Sequence, residues 1–123
     1  MIVGTRGGDE LTGSGGDDLI CGRGGDDKIR SLAGDDTVYG GAGFDTFLGG
    51  RGDDALKGGG GNDQIHGAVG SDELHGGALG DDLLGGRGAD FLAGGKGPDM
   101  LDGGPDTDTC RRERGKGTLV NCE

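Results

Sequence analysis

The chain has 123 residues, of which 35 are glycine, and its formal net charge is −11. Hydrophobic residues make up 29% and aromatic residues 3%, and such low hydrophobicity with high net charge is typical of disordered chains. The negative charge argues against nucleic acid or an anionic membrane as the main partner. No apolar stretch approaches the ~20 residues that a membrane span requires.

Aspartate recurs at every ninth position, and this periodicity decides between disorder and a repeat fold. Chance does not explain an unbroken series, since only 19 of the 123 residues are aspartate. We call its members the column aspartates: Asp9, Asp18, Asp27, Asp36, Asp45, Asp54, Asp63, Asp72, Asp81, Asp90, Asp99 and Asp108. The chain is therefore built from twelve nonapeptide units.

Each unit has the pattern Gly-Gly-x-Gly-x-Asp-x-U-x, where U is apolar, and the units run from Gly4 to Arg111 without insertion or deletion. We number the positions one to nine, so that the column aspartate is at position six. Positions one to six predict a turn, because glycine adopts positive φ and allows close approach of a ligand. Positions seven to nine predict a short strand whose apolar middle side chain faces opposite to its two neighbours.

Clear examples of the unit are residues 40–48 and 58–66, and twelve such units in register resemble the RTX (repeat-in-toxin), or hemolysin-type, calcium-binding repeats. The resemblance covers nearly the whole chain. It implies an all-β fold, a right-handed parallel β-roll or β-solenoid in which two units form one 18-residue coil. Twelve units would then form about six coils, stacked at roughly 4.8 Å.

In such a roll the column aspartates alternate between two edges. Neighbouring carboxylates on one edge would repel each other, and a divalent cation between them would remove the repulsion. Calcium binds carboxylates and backbone carbonyls together, whereas no regular His or Cys ladder suits zinc or copper. We therefore predict that all twelve column aspartates bind several calcium ions, at most about ten, because six turns on each edge leave five gaps.

With one apolar residue in nine, the core is small. We predict that the chain is disordered without calcium and folds when calcium binds, because the binding energy then serves as folding energy.

Some units depart from the pattern. The fourth unit begins Ser31-Leu32-Ala33, the ninth has Leu79 in place of a turn glycine, and Pro98 and Pro105 lie in the last two turns. We expect weak or empty sites there and the clearest sites around Asp45, Asp54 and Asp63. Four further acids precede a column aspartate, and solvation at the surface and direct ligation remain the two interpretations for them: Asp17, Asp26, Asp35 and Asp53.

The two ends are expected to differ. Ile2 has the apolar phase already, so we expect repeats upstream and a fragment that starts at Met1. Residues 1–111 are predicted to form the calcium-binding roll and residues 112–123 a degenerate cap without a calcium site. A disulfide between Cys110 and Cys122 is expected, with two free thiols as the alternative. Cys21 is expected to be free or paired upstream.

These expectations favour a secreted, extracellular protein, because a disulfide requires an oxidising compartment. We expect a monomer. We also expect that the chain is not an enzyme, since His66 and His75 would fall on opposite sheets and could not form a catalytic pair. Two roles remain open: a stand-alone calcium-binding protein whose folding depends on calcium, or a folding and spacer module attached to an upstream enzyme, toxin or adhesin domain.

Overall fold

The computed structural model describes residues 1–112 and 117–122, and the only regular secondary structure in this part of the chain is β-strand. Among the same residues no helix is long and apolar enough to cross a membrane. The strands are β1 Ile2–Val3, β2 Glu10–Thr12, β3 Leu19–Gly24, β4 Lys28–Arg30, β5 Thr37–Ala42, β6 Thr46–Arg51, β7 Ala55–Gly60, β8 Gln64–Val69, β9 Glu73–Ala78, β10 Asp82–Arg87, β11 Phe91–Lys96, β12 Met100–Asp102, β13 Thr109–Arg111 and β14 Thr118–Val120.

The strands alternate between two parallel seven-stranded sheets. The odd-numbered strands form one sheet and the even-numbered strands form the other, each in chain order. Residues pair with those 18 positions away, as Val38 does with Leu56 and Leu56 with Leu74. Each nonapeptide unit thus supplies half a coil, and the chain forms a β-solenoid of about six coils. The predicted all-β class and parallel-sheet architecture are confirmed, and the fold is consistent with a β-roll.

The core consists of the apolar residues at position eight. Ten of them are at most 2% exposed: Ile20, Ile29, Val38, Phe47, Leu56, Ile65, Leu74, Leu83, Leu92 and Leu101. At the two ends of the solenoid, Ile2, Leu11, Cys110 and Cys122 are only partly buried against this cluster. Each sheet therefore contributes a single row of apolar side chains, and the core is narrow.

The strands in the middle of the solenoid are longer than predicted. β7 continues through Lys57 to Gly60, so positions one to three of the next unit pair within the sheet and do not belong to the turn. Gly59 has φ of 111° and pairs with Gly41 and Gly77. Because glycine accepts this φ, the chain bends inside the strand and the hydrogen-bond ladder continues around the bend.

The C-terminal segment extends the solenoid. β14 pairs with β12, so that Leu119 lies beside Leu101. Cys110 and Cys122 form the predicted disulfide, and among the described residues Cys21 is the free cysteine. Residues 113–116 and 123 of the predicted cap lie outside the described residues, and the boundary at residue 112 stays a prediction.

Candidate metal centre

The structure gathers the column aspartates into two stacks inside the solenoid. Each lies immediately before a strand: Asp63 precedes β8, and Asp54 precedes β7. The ten from Asp27 to Asp108 are at most 3% exposed, whereas Asp9 and Asp18 in the first coil are partly exposed. Positions six and eight differ by two residues, so in an extended chain both side chains face the interior.

One carboxylate oxygen of each buried aspartate is bound to the coil before it. The backbone N–H of Asp45 donates to Oδ1 of Asp63 at 2.9 Å, and that of Asp54 donates to Oδ1 of Asp72 at 2.9 Å. The same bond links all ten successive pairs on the two edges, with distances of 2.7–2.9 Å. The aspartate stacks therefore couple neighbouring coils directly.

The second carboxylate oxygen is buried without a hydrogen-bond partner. This holds for Oδ2 of all ten aspartates from Asp27 to Asp108. Buried polar groups in folded proteins are nearly always paired, so ten equivalent unpaired oxygens require an explanation. Charged oxygens in this environment also favour the association of a cation, because burial without a partner strongly disfavours an isolated negative charge.

The same burial changes the acidity of these carboxyl groups. Desolvation raises the pKa of Asp45 and Asp54 to about 6, with smaller contributions from neighbouring aspartates. Desolvation likewise raises the pKa of Asp72 and Asp81 to about 7. It also raises the pKa of the remaining affected members of the stacks, namely Asp27, Asp36, Asp63, Asp90 and Asp99.

The unpaired oxygens face backbone carbonyls beside the glycine at position one. A Cβ on Gly58 would meet both Oδ2 of Asp63 and, at 2.7 Å, the carbonyl oxygen of Gly76 in the next coil. The arrangement recurs at Gly22, Gly40, Gly49, Gly67, Gly76, Gly85 and Gly103. Glycine at position one thus leaves room in which a carboxylate oxygen and a carbonyl oxygen converge. We call each such space a cradle.

The donor set in these cradles consists of oxygen atoms. Among the described residues, no group of three or more His, Cys, Asp or Glu side chains is placed to hold a metal ion. An ion here would therefore need backbone carbonyls in addition to the aspartates. Carboxylate and carbonyl oxygens together suit calcium, which accepts six to eight oxygen ligands with flexible geometry.

Two regions of the stacks differ from this pattern. In the first coil, Oδ2 of Asp9 accepts a hydrogen bond from the backbone N–H of Thr5, and Oδ2 of Asp18 accepts one from Ser14, both at 2.6 Å. In the fourth unit, the buried hydroxyl of Ser31 donates to the carbonyl of Gly49 at 2.9 Å. A polar group of the chain itself therefore occupies part of the cradle at these three places.

The acids at position five, which we call the position-five acids (Asp17, Asp26, Asp35 and Asp53), are exposed and bind the backbone of the next coil. Oδ1 of Asp17 accepts the N–H of Asp35 at 2.8 Å, and Oδ1 of Asp35 accepts that of Asp53 at 2.8 Å. Asp26 and Asp53 bind Phe44 and Ser71 in the same way. Sequence reasoning missed this role, although the 18-residue recurrence of aspartate at position five was the available signal.

The two histidines lie apart. His66 belongs to β8 and His75 to β9, which are in different sheets, as predicted. His75 Nε2 lies 2.6 Å from Glu73 Oε1, and this is the one ion-pair contact within the described part of the chain.

A family model described as RTX calcium-binding nonapeptide repeat (4 copies) matches residues 1–29, 22–47, 39–74, 48–84, 75–110 and 84–119. Together these overlapping segments cover the chain from residue 1 to residue 119. The search of curated proteins found no match.

Proposed function

Because the chain belongs to the family of RTX calcium-binding nonapeptide repeats, we propose that the column aspartates bind calcium ions and that the bound ions drive folding of the solenoid. The observation that carries the proposal is the set of ten buried Oδ2 atoms without partners, eight of which converge with a backbone carbonyl oxygen beside the glycine at position one. The ten aspartates from Asp27 to Asp108 would supply carboxylate ligands, and Asp9 and Asp18 would do so at the exposed end.

Charge supports the same conclusion. The chain carries −11, and within the described residues no column aspartate takes part in a salt bridge. Several calcium ions, at most about ten if every gap between turns is filled, would compensate this charge and supply the missing partners. Without them, the fold would have to bury unpaired carboxylates around a core that contains one apolar residue in nine.

The β-roll of this family is a structural calcium-binding module and not a catalytic fold. Proteins with RTX repeats are typically secreted, and the disulfide between Cys110 and Cys122 fits an oxidising compartment. We extend the proposal to a secreted, extracellular, monomeric chain. An upstream domain of the same protein is the second candidate context, which the partly buried Ile2 and Leu11 of the first coil favour, because a neighbouring element would cover them.

The test is a calcium titration of the purified chain, followed by far-UV circular dichroism, with a magnesium titration as the comparison. We expect β-structure to appear cooperatively with calcium at micromolar to millimolar concentrations and not with magnesium, which requires stricter octahedral geometry. Equilibrium dialysis on the folded sample then counts the bound ions.

A matched pair of variants connects the response to the stacks. Asp63→Asn removes the charge of a 1% exposed member of a stack, and Asp82→Asn removes the same charge from an exposed strand residue. The proposal expects Asp63→Asn to lose bound calcium and Asp82→Asn to retain it. A wild-type chain that is fully folded in chelator, or that binds no calcium, would refute the proposal.

A further inference from the structure

The position-five acids are unevenly distributed along the solenoid. On the edge that contains Asp54, position five is aspartate in three consecutive coils, at Asp17, Asp35 and Asp53. In the following coils the same position holds Ser71, Ala89 and Thr107. On the other edge position five holds a single acid, and its residues in chain order are Gly8, Asp26, Phe44, Asn62, Gly80 and Pro98.

These carboxylates have fixed positions. Each accepts a backbone N–H from the turn of the next coil at 2.8–2.9 Å, so the acid and the turn behind it are held together. Asn62 makes the equivalent bond to Gly80 at 3.0 Å, which shows that an amide at position five satisfies the same geometry without a charge.

The position-five acids also act on the buried stack. Besides desolvation, which is the largest cause, the charges of Asp36, Asp35 and Asp53 contribute to raising the pKa of Asp54. Asp53 acts similarly on Asp72. In the C-terminal half, Asp106 at position four acts on Asp90. Asp36, Asp54, Asp72 and Asp90, which are 1–3% exposed and have unpaired Oδ2 atoms, lie behind these turns.

We propose that Asp17, Asp35 and Asp53 strengthen calcium binding in the turns they border. This inference rests on the proposed function. Charge count and rigidity are the properties that tune calcium affinity in oxygen-ligand sites, and these acids contribute both. They act as positioning and electrostatic residues outside the cradle, because their Oδ1 atoms are engaged by the backbone.

The experiment replaces the three acids by asparagine, in the triple variant Asp17→Asn, Asp35→Asn and Asp53→Asn. The amide keeps the hydrogen bond, as Asn62 does, and removes only the charge. The control triple variant Glu10→Gln, Glu73→Gln and Asp82→Asn makes the same change in net charge. Its residues are exposed at position seven, on the outer faces of the sheets.

Calcium titrations followed by circular dichroism give the midpoint, and equilibrium dialysis gives the number of ions. We expect the midpoint of the asparagine variant to rise about two- to threefold over wild type, with the number of ions unchanged and the control near wild type. The difference should shrink in about 0.5 M KCl, because salt screens exposed charges. The reciprocal variant Ala89→Asp with Thr107→Asp should lower the midpoint.

An asparagine variant with the wild-type midpoint would overturn the inference. So would equal shifts in the asparagine variant and the control, since net charge alone would then account for both. A wild-type chain without any calcium response would refute the proposed function itself, and it is distinguishable because it requires no variant.

Discussion

Substitution of alanine for Gly61 tests how tightly the turns are stacked, and the residue before it provides the control. Gly61 has φ of 131°, and a Cβ there would overlap the carbonyl oxygen of Gly43 and lie 2.7 Å from its carbonyl carbon. At Gly60 the nearest heavy atom to a Cβ would be the carbonyl oxygen of Gly41, at 3.9 Å. Gly60 also pairs with Ala42 and Ala78, so alanine already fills the equivalent place in both neighbouring coils.

The magnitude follows from two contributions. An L-residue at positive φ costs about 1–2 kcal/mol, and forced contact in a packed interior costs about 1–3 kcal/mol. The contact at Gly61 is with backbone, which does not move aside as a flexible side chain does. We therefore expect Gly61→Ala to lower the free energy of unfolding by about 3 kcal/mol, and Gly60→Ala to change it by less than about 0.5 kcal/mol.

The ninth unit provides a natural comparison for this estimate. Leu79 occupies the position equivalent to Gly61 with φ of 77°. The hydrogen bond from the N–H of Gly61 to the carbonyl of Ala78 is 3.4 Å long, whereas the bond from Gly43 to Gly60, one coil earlier, is 2.8 Å. A side chain at position four therefore accompanies a looser turn.

Urea unfolding in saturating calcium, followed by far-UV circular dichroism, is the appropriate assay. The calcium midpoint would be insensitive, because about 3 kcal/mol shared among about ten cooperatively bound ions shifts the midpoint by less than about twofold. Equal stabilities for Gly61→Ala and Gly60→Ala would refute the argument, since backbone strain and contact between coils would then not limit position four.

Three further predictions concern the ninth unit, the cap and pH. Leu79→Gly should raise the free energy of unfolding by about 1 kcal/mol in the same urea assay, because it removes an L-residue at positive φ, and an unchanged or lower value would contradict this. Cys122→Ser should lower it by about 3 kcal/mol, because the disulfide closes a short loop in the unfolded chain; reduction of the wild type should match the variant. In chelator, β-structure measured by circular dichroism should increase as pH falls from about 8 to about 5. The folded-state pKa is about 6 for Asp45 and Asp54 and about 7 for Asp72 and Asp81, above the ordinary value of 3.8. The folded state therefore binds protons more tightly than the unfolded state. The resulting stabilisation is complete below pH 3.8 and is lost as the pH rises through 6–7. Signal that is constant or falls on acidification would contradict this assignment.

Much of the fold could be predicted because a strict period leaves little freedom. Nine residues separate Leu56 from Ile65, and the structure places one in each sheet with both side chains buried. The disulfide between Cys110 and Cys122 followed from their places at the two ends of the last segment. Both features depend on local spacing, which a single sequence records directly.

The hydrogen-bonding of the aspartates could not be predicted in the same way. The spacing of Asp63 and Ile65 implies a shared inward face, but the bond from the N–H of Asp45 to Oδ1 of Asp63 depends on the register between coils. The extension of β7 through Gly59 was missed for a related reason. Six glycine-rich residues suggest a turn, and only the neighbouring coils show that half of them are paired.

The column aspartates and the position-five acids accept hydrogen bonds from opposite directions along the solenoid. The column aspartate Asp63 accepts a hydrogen bond from a backbone N–H of the coil before it, whereas the position-five acid Asp53 accepts one from the turn of the coil after it. An inner coil that contains a position-five acid is therefore hydrogen-bonded through its aspartate side chains to the coil before it and to the coil after it. The first coil has no earlier neighbour among the described residues. There Asp9 accepts a hydrogen bond from the backbone N–H of Thr5 in the same glycine-rich turn. An isolated coil would lose most of these bonds, so we infer that several adjacent coils must form together before calcium and hydrogen bonds compensate the cost of ordering a glycine-rich chain.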